Sequence, residues 1–457
     1  MKHLPTAWLS FGFACCIVAL TACGSSSAEP AARRVKGRAV ARESWPNWRG
    51  PGGQGVAGTT QLPDVWPPKA PPPLWQAKLG EGWSSPAVVD GRVFITDRAG
   101  KIERALAFDA DTGRELWVRT NPVDFDPHEV GRRHGNGPKA TPLVRGGLVY
   151  TLGIAGWLQA LDARDGRVVW HLHLPAEFGA RQPLAGGRAY VNGTENVIVP
   201  IGGGEGAPVP LFGYTGSPTW SDDLLICSVG GQRGGTLMAF DGATGRVVWK
   251  SLHDHVSYSS PIIATIEGQE QVVAMTGPEV VGLAVDDGRR LWGHPFQIQY
   301  DESIGTPVVS GNRVLVGGDG KPLTAIAIAR AGEQWSAEVD WENRYMTSYL
   351  SSMVIRDGYV YGMNNGGEFG CVGLTDGKTV WIDGNHGYYS TPVLAGSRLL
   401  GLNERGELLV LSATPDKYQP LGRARLADDA TWTSPAVVGG RIYVRGQSGL
   451  RVFEWGK

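Results

Sequence analysis

Eight times along the chain a short opening returns, and it dictates most of what the sequence can fold into. A hydroxyl residue precedes proline at Ser85-Pro86, Thr141-Pro142, Ser217-Pro218, Ser260-Pro261, Thr306-Pro307, Thr391-Pro392 and Ser434-Pro435, and Ser352-Met353 fills the one gap. A tryptophan closes most units, at Trp117, Trp170, Trp249, Trp292, Trp341 and Trp381. Gly166, Gly245, Gly288 and Gly377 each stand four residues ahead of such a tryptophan. A repeat of roughly 40–55 residues marks propellers and stacked arrays, because one such unit cannot bury its apolar face alone.

The unit beginning at Ser85 spells out its own strands. Ala87-Val88-Val89 is apolar, Asp90-Gly91 is a hairpin turn, and Arg92 to Thr96 and Lys101 to Phe108 follow as strands. Asp109-Ala110-Asp111-Thr112-Gly113 then turns the chain into Arg114 to Arg119, which carries Trp117. Asp-Gly between apolar runs is the strongest short hairpin signal. Four strands on three tight turns make an antiparallel meander, one blade. The whole set predicts an all-β, eight-bladed β-propeller of four-stranded blades. The last unit runs from Arg441-Ile442-Tyr443-Val444 to Val452-Phe453-Glu454-Trp455 and stops three strands in. Its missing strand lies upstream, at Leu74–Leu79, so an N-terminal strand is expected to complete the last blade. Such closure removes sheet edges that would otherwise invite aggregation.

The run Ala107-Phe108-Asp109-Ala110-Asp111-Thr112-Gly113-Arg114-Glu115-Leu116-Trp117 returns at Asp162 to Trp170 and at Asp241 to Trp249. It resembles the tryptophan-docking motif of the quinoprotein-like (PQQ-like) β-propeller family, and the resemblance spans residues 74–457. The G-H and W-D signature of WD40 repeats is absent. Trp45-Pro46-Asn47-Trp48-Arg49-Gly50-Pro51 is similar to the N-terminal segment of exported members. A lipidated eight-bladed member is also similar to the outer-membrane protein assembly factors that partner the β-barrel insertase, which implies a protein-binding scaffold. The dehydrogenases of the family imply another set: a disulfide between adjacent cysteines, a calcium ion and a catalytic Asp. The adjacent pair here, Cys15-Cys16, sits near the N-terminus, and no residue matches the calcium or base positions. No cofactor and no metal are therefore expected.

That N-terminus reads as an address. Lys2 and His3 precede an apolar run, Ala7 to Leu20, which is short for a bilayer span and ends Leu20-Thr21-Ala22-Cys23. The pattern looks like a lipoprotein signal with Cys23 as the lipidated residue, and Gly24 after it suggests sorting to an outer membrane. Residues 1–23 are read as the signal and 24–44 as a flexible basic tether. Residues 45–73 are read as a lead-in segment and 74–457 as the propeller. The protein is thus expected to face the periplasm from a lipid anchor, as a monomeric propeller. Cys227 and Cys371 belong to different repeats and are expected to be buried single thiols. Charged residues make up 19% of the chain and the net charge is −1, which supplies no basic footprint for nucleic acid.

Little is left over for chemistry. Asp109-x-Asp111-x-Gly113 looks like a calcium loop, but the next repeat reads Asp162-Ala163-Arg164-Asp165-Gly166, so turn chemistry explains it better. Loop 121–138 gathers Asp124, Asp126, His128, Glu129 and His134, without fixed ligand spacing and beside Arg132 and Arg133. His171 and His173 alternate on a strand and share a face, and His253-x-His255 has no third ligand nearby. Residues 181–207 make one inter-repeat stretch unusually long and suit an extra hairpin.

One constellation remains. The residue three before each opening position begins an innermost strand, so Trp83, Lys139, Thr215, Tyr258, Ile304, Leu350, Tyr389 and Trp432 should ring one mouth of the central channel. Trp83, Tyr258, Tyr389 and Trp432 are aromatic with a polar handle and are the candidate ligand-binding residues, expected to be partly exposed. The expected function is a binding or scaffold propeller that takes a protein partner or a small polar ligand at this mouth. The competing reading is an enzyme that works there with the carboxylates and histidines of loop 121–138.

Overall fold

A computed structural model describes residues 44–455, except 59–61, 64–65, 67–68, 127–130, 132–133, 179–211, 231–233, 255–256, 299–302 and 349. The chain divides into Met1–Arg34, which lies outside the described residues, and Val35–Lys457, which holds the propeller. The expected signal, Cys23 and nearly all of the expected tether thus lie outside the described residues.

The described residues form eight antiparallel meanders, one from each repeat. The first blade runs Ala87–Val89, Arg92–Ala99, Ile102–Asp109 and Glu115–Pro122, the strands expected from its sequence with longer ends. The Asp-Gly and Asp-x-x-Thr-Gly turns behave as their chemistry requires. Asp109 Oδ1 accepts hydrogen bonds from the Asp111 and Thr112 amides and from the Thr112 hydroxyl, so the carboxylate is consumed by its own turn. Asp241 and Thr244 repeat the arrangement.

Blade eight closes as expected. Trp75–Lys78 pairs antiparallel with Gly449–Glu454, with Trp75 opposite Val452, and the flanking Leu74 and Leu79 amides extend the ladder. Blade seven carries an addition: Val56–Ala57 of the lead-in segment lies parallel to its inner strand, Val393–Ala395.

Burial follows the pleat on both sides of each blade. In blade one, Val93, Ile95, Leu106 and Phe108 pack towards blade eight, while Phe94, Ala105, Ala107 and Trp117 pack towards blade two. Strands buried on both faces explain why the inner repeats read as continuous apolar runs rather than alternating ones.

The closing tryptophans join neighbouring blades. Indole N–H groups of Trp75, Trp117, Trp170, Trp249, Trp341 and Trp381 donate to carbonyls of Ala110, Ala163, Gly242, Val285, Leu374 and Thr414, each in the next blade. For Trp75, Trp117, Trp170, Trp249 and Trp341 the ring lies over the turn glycine of that blade. A Cβ on Gly166 would stand 2.6 Å from the Trp117 ring, and one on Gly288 2.5 Å from Trp249, at positive φ in both cases. This contact is the reason for glycine four residues ahead of the tryptophan. Trp292 departs from the pattern: its N–H donates to Gln271 within its own blade. Blade five has replaced the glycine turn with a long hairpin, Lys321–Ala331 and Gln334–Asn343, which offers no such turn. Blade seven ends without a tryptophan, and Trp66 of the lead-in segment covers its Gly422 instead.

A cup at the channel mouth

Five of the eight opening hydroxyls have a structural task that their recurrence alone did not reveal. Thr141 Oγ1 accepts the Ser85 amide, Ser217 Oγ the Thr141 amide, and Ser260 Oγ the Ser217 amide. Ser352 Oγ accepts the Thr306 amide and Thr391 Oγ1 the Ser352 amide. Each bond links one blade to the next around the bore, so backbone donors facing the channel are satisfied without a continuous sheet. The mouth is tied in a similar way, with the Trp83 amide donating to Pro138 O and the Tyr258 amide to Ser303 O.

All eight residues of the expected ring line one cavity of about 460 Å³. Trp432 stacks on Tyr389 at 5.8 Å and 18°, and its ring centroid lies 6.2 Å from that of Trp83. Four further aromatic side chains line the same space and escape the repeat logic: Trp48, His134, Phe212 and Tyr388. His134 stands edge-on to both Trp432 and Phe212 at 5.1 Å, and Phe212 edge-on to Tyr258 at 5.2 Å. These side chains come from non-repeating segments, so periodicity cannot place them. Trp83, Tyr258 and Trp432 are half-buried, as a ligand-facing wall requires. Tyr389 corrects the expectation of partial exposure: Trp432 covers it to 8% exposure, and its neighbour Tyr388 is the exposed tyrosine, at 52%.

The cavity has a floor, built by the lead-in segment. Trp45 exchanges both backbone hydrogen bonds with Val88, and Pro46 O accepts the Val144 amide. Arg49 donates to Met353 O, and Gly55 O accepts the Leu394 amide. Val88, Val144 and Leu394 each stand two residues beyond the opening proline, whereas the ring residues stand three before it. A five-residue separation along extended chain is roughly 16 Å, so the segment crosses the opposite end of the channel. From there Trp48 reaches up to Thr306 Oγ1 at 2.9 Å and lines the cup. The arrangement is closed below and open at the ring.

Its electrostatics are one-sided. Lys139 is the one Lys or Arg in the lining, which holds no Asp or Glu among the described residues. Its ammonium lies 3.3 Å from Gly135 O and 3.4 Å from Phe212 O. Burial lowers its pKa to about 8, against the opposing influence of Glu103. Glu103, behind the wall, accepts the Ile154 amide at 2.7 Å, and burial raises its carboxyl to about 7. The described residues of the wall include no carboxylate for a divalent cation, so a calcium-assisted quinone site does not fit them.

The other sequence candidates separate. Among the described residues no group of three His, Cys, Asp or Glu is placed to hold a metal. His128 and Glu129 of loop 121–138 lie outside the described residues, while Val123 and Phe125 pack into a small core with Ile154 and Ala155. His171 and His173 do share a face, where Trp157 covers both, at 5.7 and 4.6 Å. His255 and the stretch 181–207 lie outside the described residues. Cys227 and Cys371 are buried free thiols.

Relatives agree with this anatomy. The assembly factor BamB of Shewanella oneidensis is 21% identical over 397 residues, covering 82% of this chain and 86% of that protein. Its Escherichia coli counterpart is 22% identical, covering 76% and 90%. Among solved structures, BamB from Moraxella catarrhalis superposes with a TM-score of 0.57 at 14% identity over 84% of this chain and 99% of that one. The quinohemoprotein alcohol dehydrogenase of Comamonas testosteroni gives 0.56 at 13% identity, covering 92% and 82%, a likeness of fold. The family profile described as outer membrane protein assembly factor BamB matches residues 106–383, blade one to blade six, and with the tryptophan docking and terminal closure seen here the chain belongs to that family.

Proposed function

We propose that the chain is an accessory factor of outer-membrane protein assembly, a scaffold that holds a protein partner at the periplasmic side of the membrane. The observation that carries this reading is the extent of the family match: relatives bearing that name are covered over 86% and 90% of their own length. The cup supports the reading from the side of chemistry. Trp83, Tyr258, Tyr389 and Trp432 form its binding wall, and acid–base catalysis there would rest on Lys139 and His134 without a carboxylate. Cys23 carries the lipid that keeps the scaffold at its membrane.

Cross-linking in native membranes followed by affinity capture tests the reading. Subunits of the β-barrel insertase should be recovered, and loss of the protein should lower outer-membrane β-barrel levels. Capture without any insertase subunit, together with unchanged barrel levels, would remove the proposal. For the anchor, Cys23→Ala should abolish incorporation of a fatty-acid label and release the protein from the membrane fraction. Unchanged labelling would end that part of it.

A further inference from the structure

The opening hydroxyls leave something unspent. A hydroxyl group has one proton to donate and two lone pairs to accept with. Ser217, Ser260 and Ser352 each use a lone pair on a backbone N–H, which leaves the O–H proton as the donor of each. All three line the cup, on blades three, four and six. Lys139, on blade two, adds an ammonium whose two carbonyl contacts are long, at 3.3 and 3.4 Å. The hydroxyls stand two residues inward of the ring, and Lys139 belongs to the ring with Trp83, Tyr258 and Trp432. Phe212 and Tyr388 line the same space, and no carboxylate of the described wall competes for the donors.

Hydroxyl donors inside the cup, with an ammonium and aromatic faces around its mouth, suit a small anion attached to an apolar body. A carboxylate fits this best, because its two oxygens take several charge-assisted donors at once while an attached ring packs against the aromatic wall. The cavity, about 460 Å³, lies within the usual range of small-ligand sites and has room for one or two residues of a peptide. We propose that the cup binds a carboxylate borne on an aromatic or apolar group, with Lys139 and the hydroxyls of Ser217 and Ser260 as its receptor. The chemistry is shared by the C-terminal end of a polypeptide and by a free small acid. This inference rests on the cup being a binding site, as proposed above, and adds the class of ligand.

The test uses the intact protein and three probes: the peptide acetyl-Ala-Ala-Phe with a free C-terminal carboxylate, the same peptide as its C-terminal amide, and 3-phenylpropionate. Calorimetry and the fluorescence of the cup tryptophans report binding. The free acid should bind at least about tenfold more tightly than the amide, because the amide loses the charge and leaves the ammonium unpaired. Lys139→Met should erase the difference between acid and amide, and Lys139→Arg should preserve it. Tight binding of 3-phenylpropionate identifies a free acid as sufficient; tight binding of the peptide acid alone identifies a chain end. Either supports the carboxylate receptor. Equal binding of acid and amide by the unaltered protein would overturn the inference while leaving the cup a binding site, and binding of neither would overturn it while partner capture from membranes still stood to be judged on its own.

Discussion

Replacing Trp249 by alanine would take a ring off Gly288 and leave the Val285 carbonyl without its indole donor. Emptying a buried aromatic site costs roughly 3–5 kcal/mol, and Trp249→Ala should lose that much in urea unfolding. Trp432→Ala removes a half-buried ring that solvent can replace at the mouth, so it should cost clearly less than Trp249→Ala in urea unfolding while losing capture of ligand or partner. Equal destabilisation by the two variants would make the mouth ring a plug and withdraw its assignment as a binding wall. Gly288→Ala probes the same joint from the other side. It forces a Cβ into the Trp249 ring at a φ of +70°, and should destabilise in the same direction as Trp249→Ala.

At the level of elements, what the sequence could show divides along the line between repeating and unique segments. Blade strands, turn glycines and the ring from Trp83 to Trp432 were legible because each recurs at a fixed offset from an opening. The strand Trp75–Lys78 was legible because the last repeat lacked one. A chain beginning at Ser84 should therefore expose ladder edges on blade eight, melt earlier and self-associate in sedimentation; a monomer as heat-stable as the parent would refute the closure. The channel floor was not legible. Residues 45–57 bond to blades one, two, five, six and seven at positions set by where a single irregular segment crosses the bore, and no period encodes that path. Phe212 was hidden for the same reason, whereas His134 stood among the candidates of loop 121–138, and the Trp292 exception came from a turn that blade five had lost. Even the opening hydroxyls, plain in the sequence, concealed their purpose, since the amide that Thr141, Ser217, Ser260, Ser352 and Thr391 each accept belongs to the preceding blade.

Across the whole molecule, two buried groups on different blades give stability a pH dependence whose parts oppose each other. His386, between blades six and seven, accepts from Arg423 at Nδ1 at 2.9 Å, so its Nε2–H donates to Tyr418 at 2.8 Å, and the neutral ring is the bonded form. Burial and the nearby Arg423 lower its pKa from 6.5 to about 4. The unfolded chain therefore takes up a proton that the folded one refuses, and stability falls as pH drops from 6.5 towards 4. Glu103 runs the other way: with its carboxyl raised from 4.5 to about 7, the folded protein keeps a proton that the unfolded chain releases, so stability rises as pH drops from 7 towards 4.5. One proton of difference changes stability by about 1.4 kcal/mol per pH unit. Between pH 6.5 and 4.5 the two slopes should nearly cancel, and the parent should show a flat profile there. Glu103→Gln removes the compensating slope, so this variant should lose roughly 2–3 kcal/mol across that window in urea unfolding at fixed ionic strength. His386→Asn should gain stability on acidification over the same range. Parallel profiles for the parent and Glu103→Gln would show that Glu103 titrates as an ordinary carboxylate and that its buried contact with blade two carries no proton linkage.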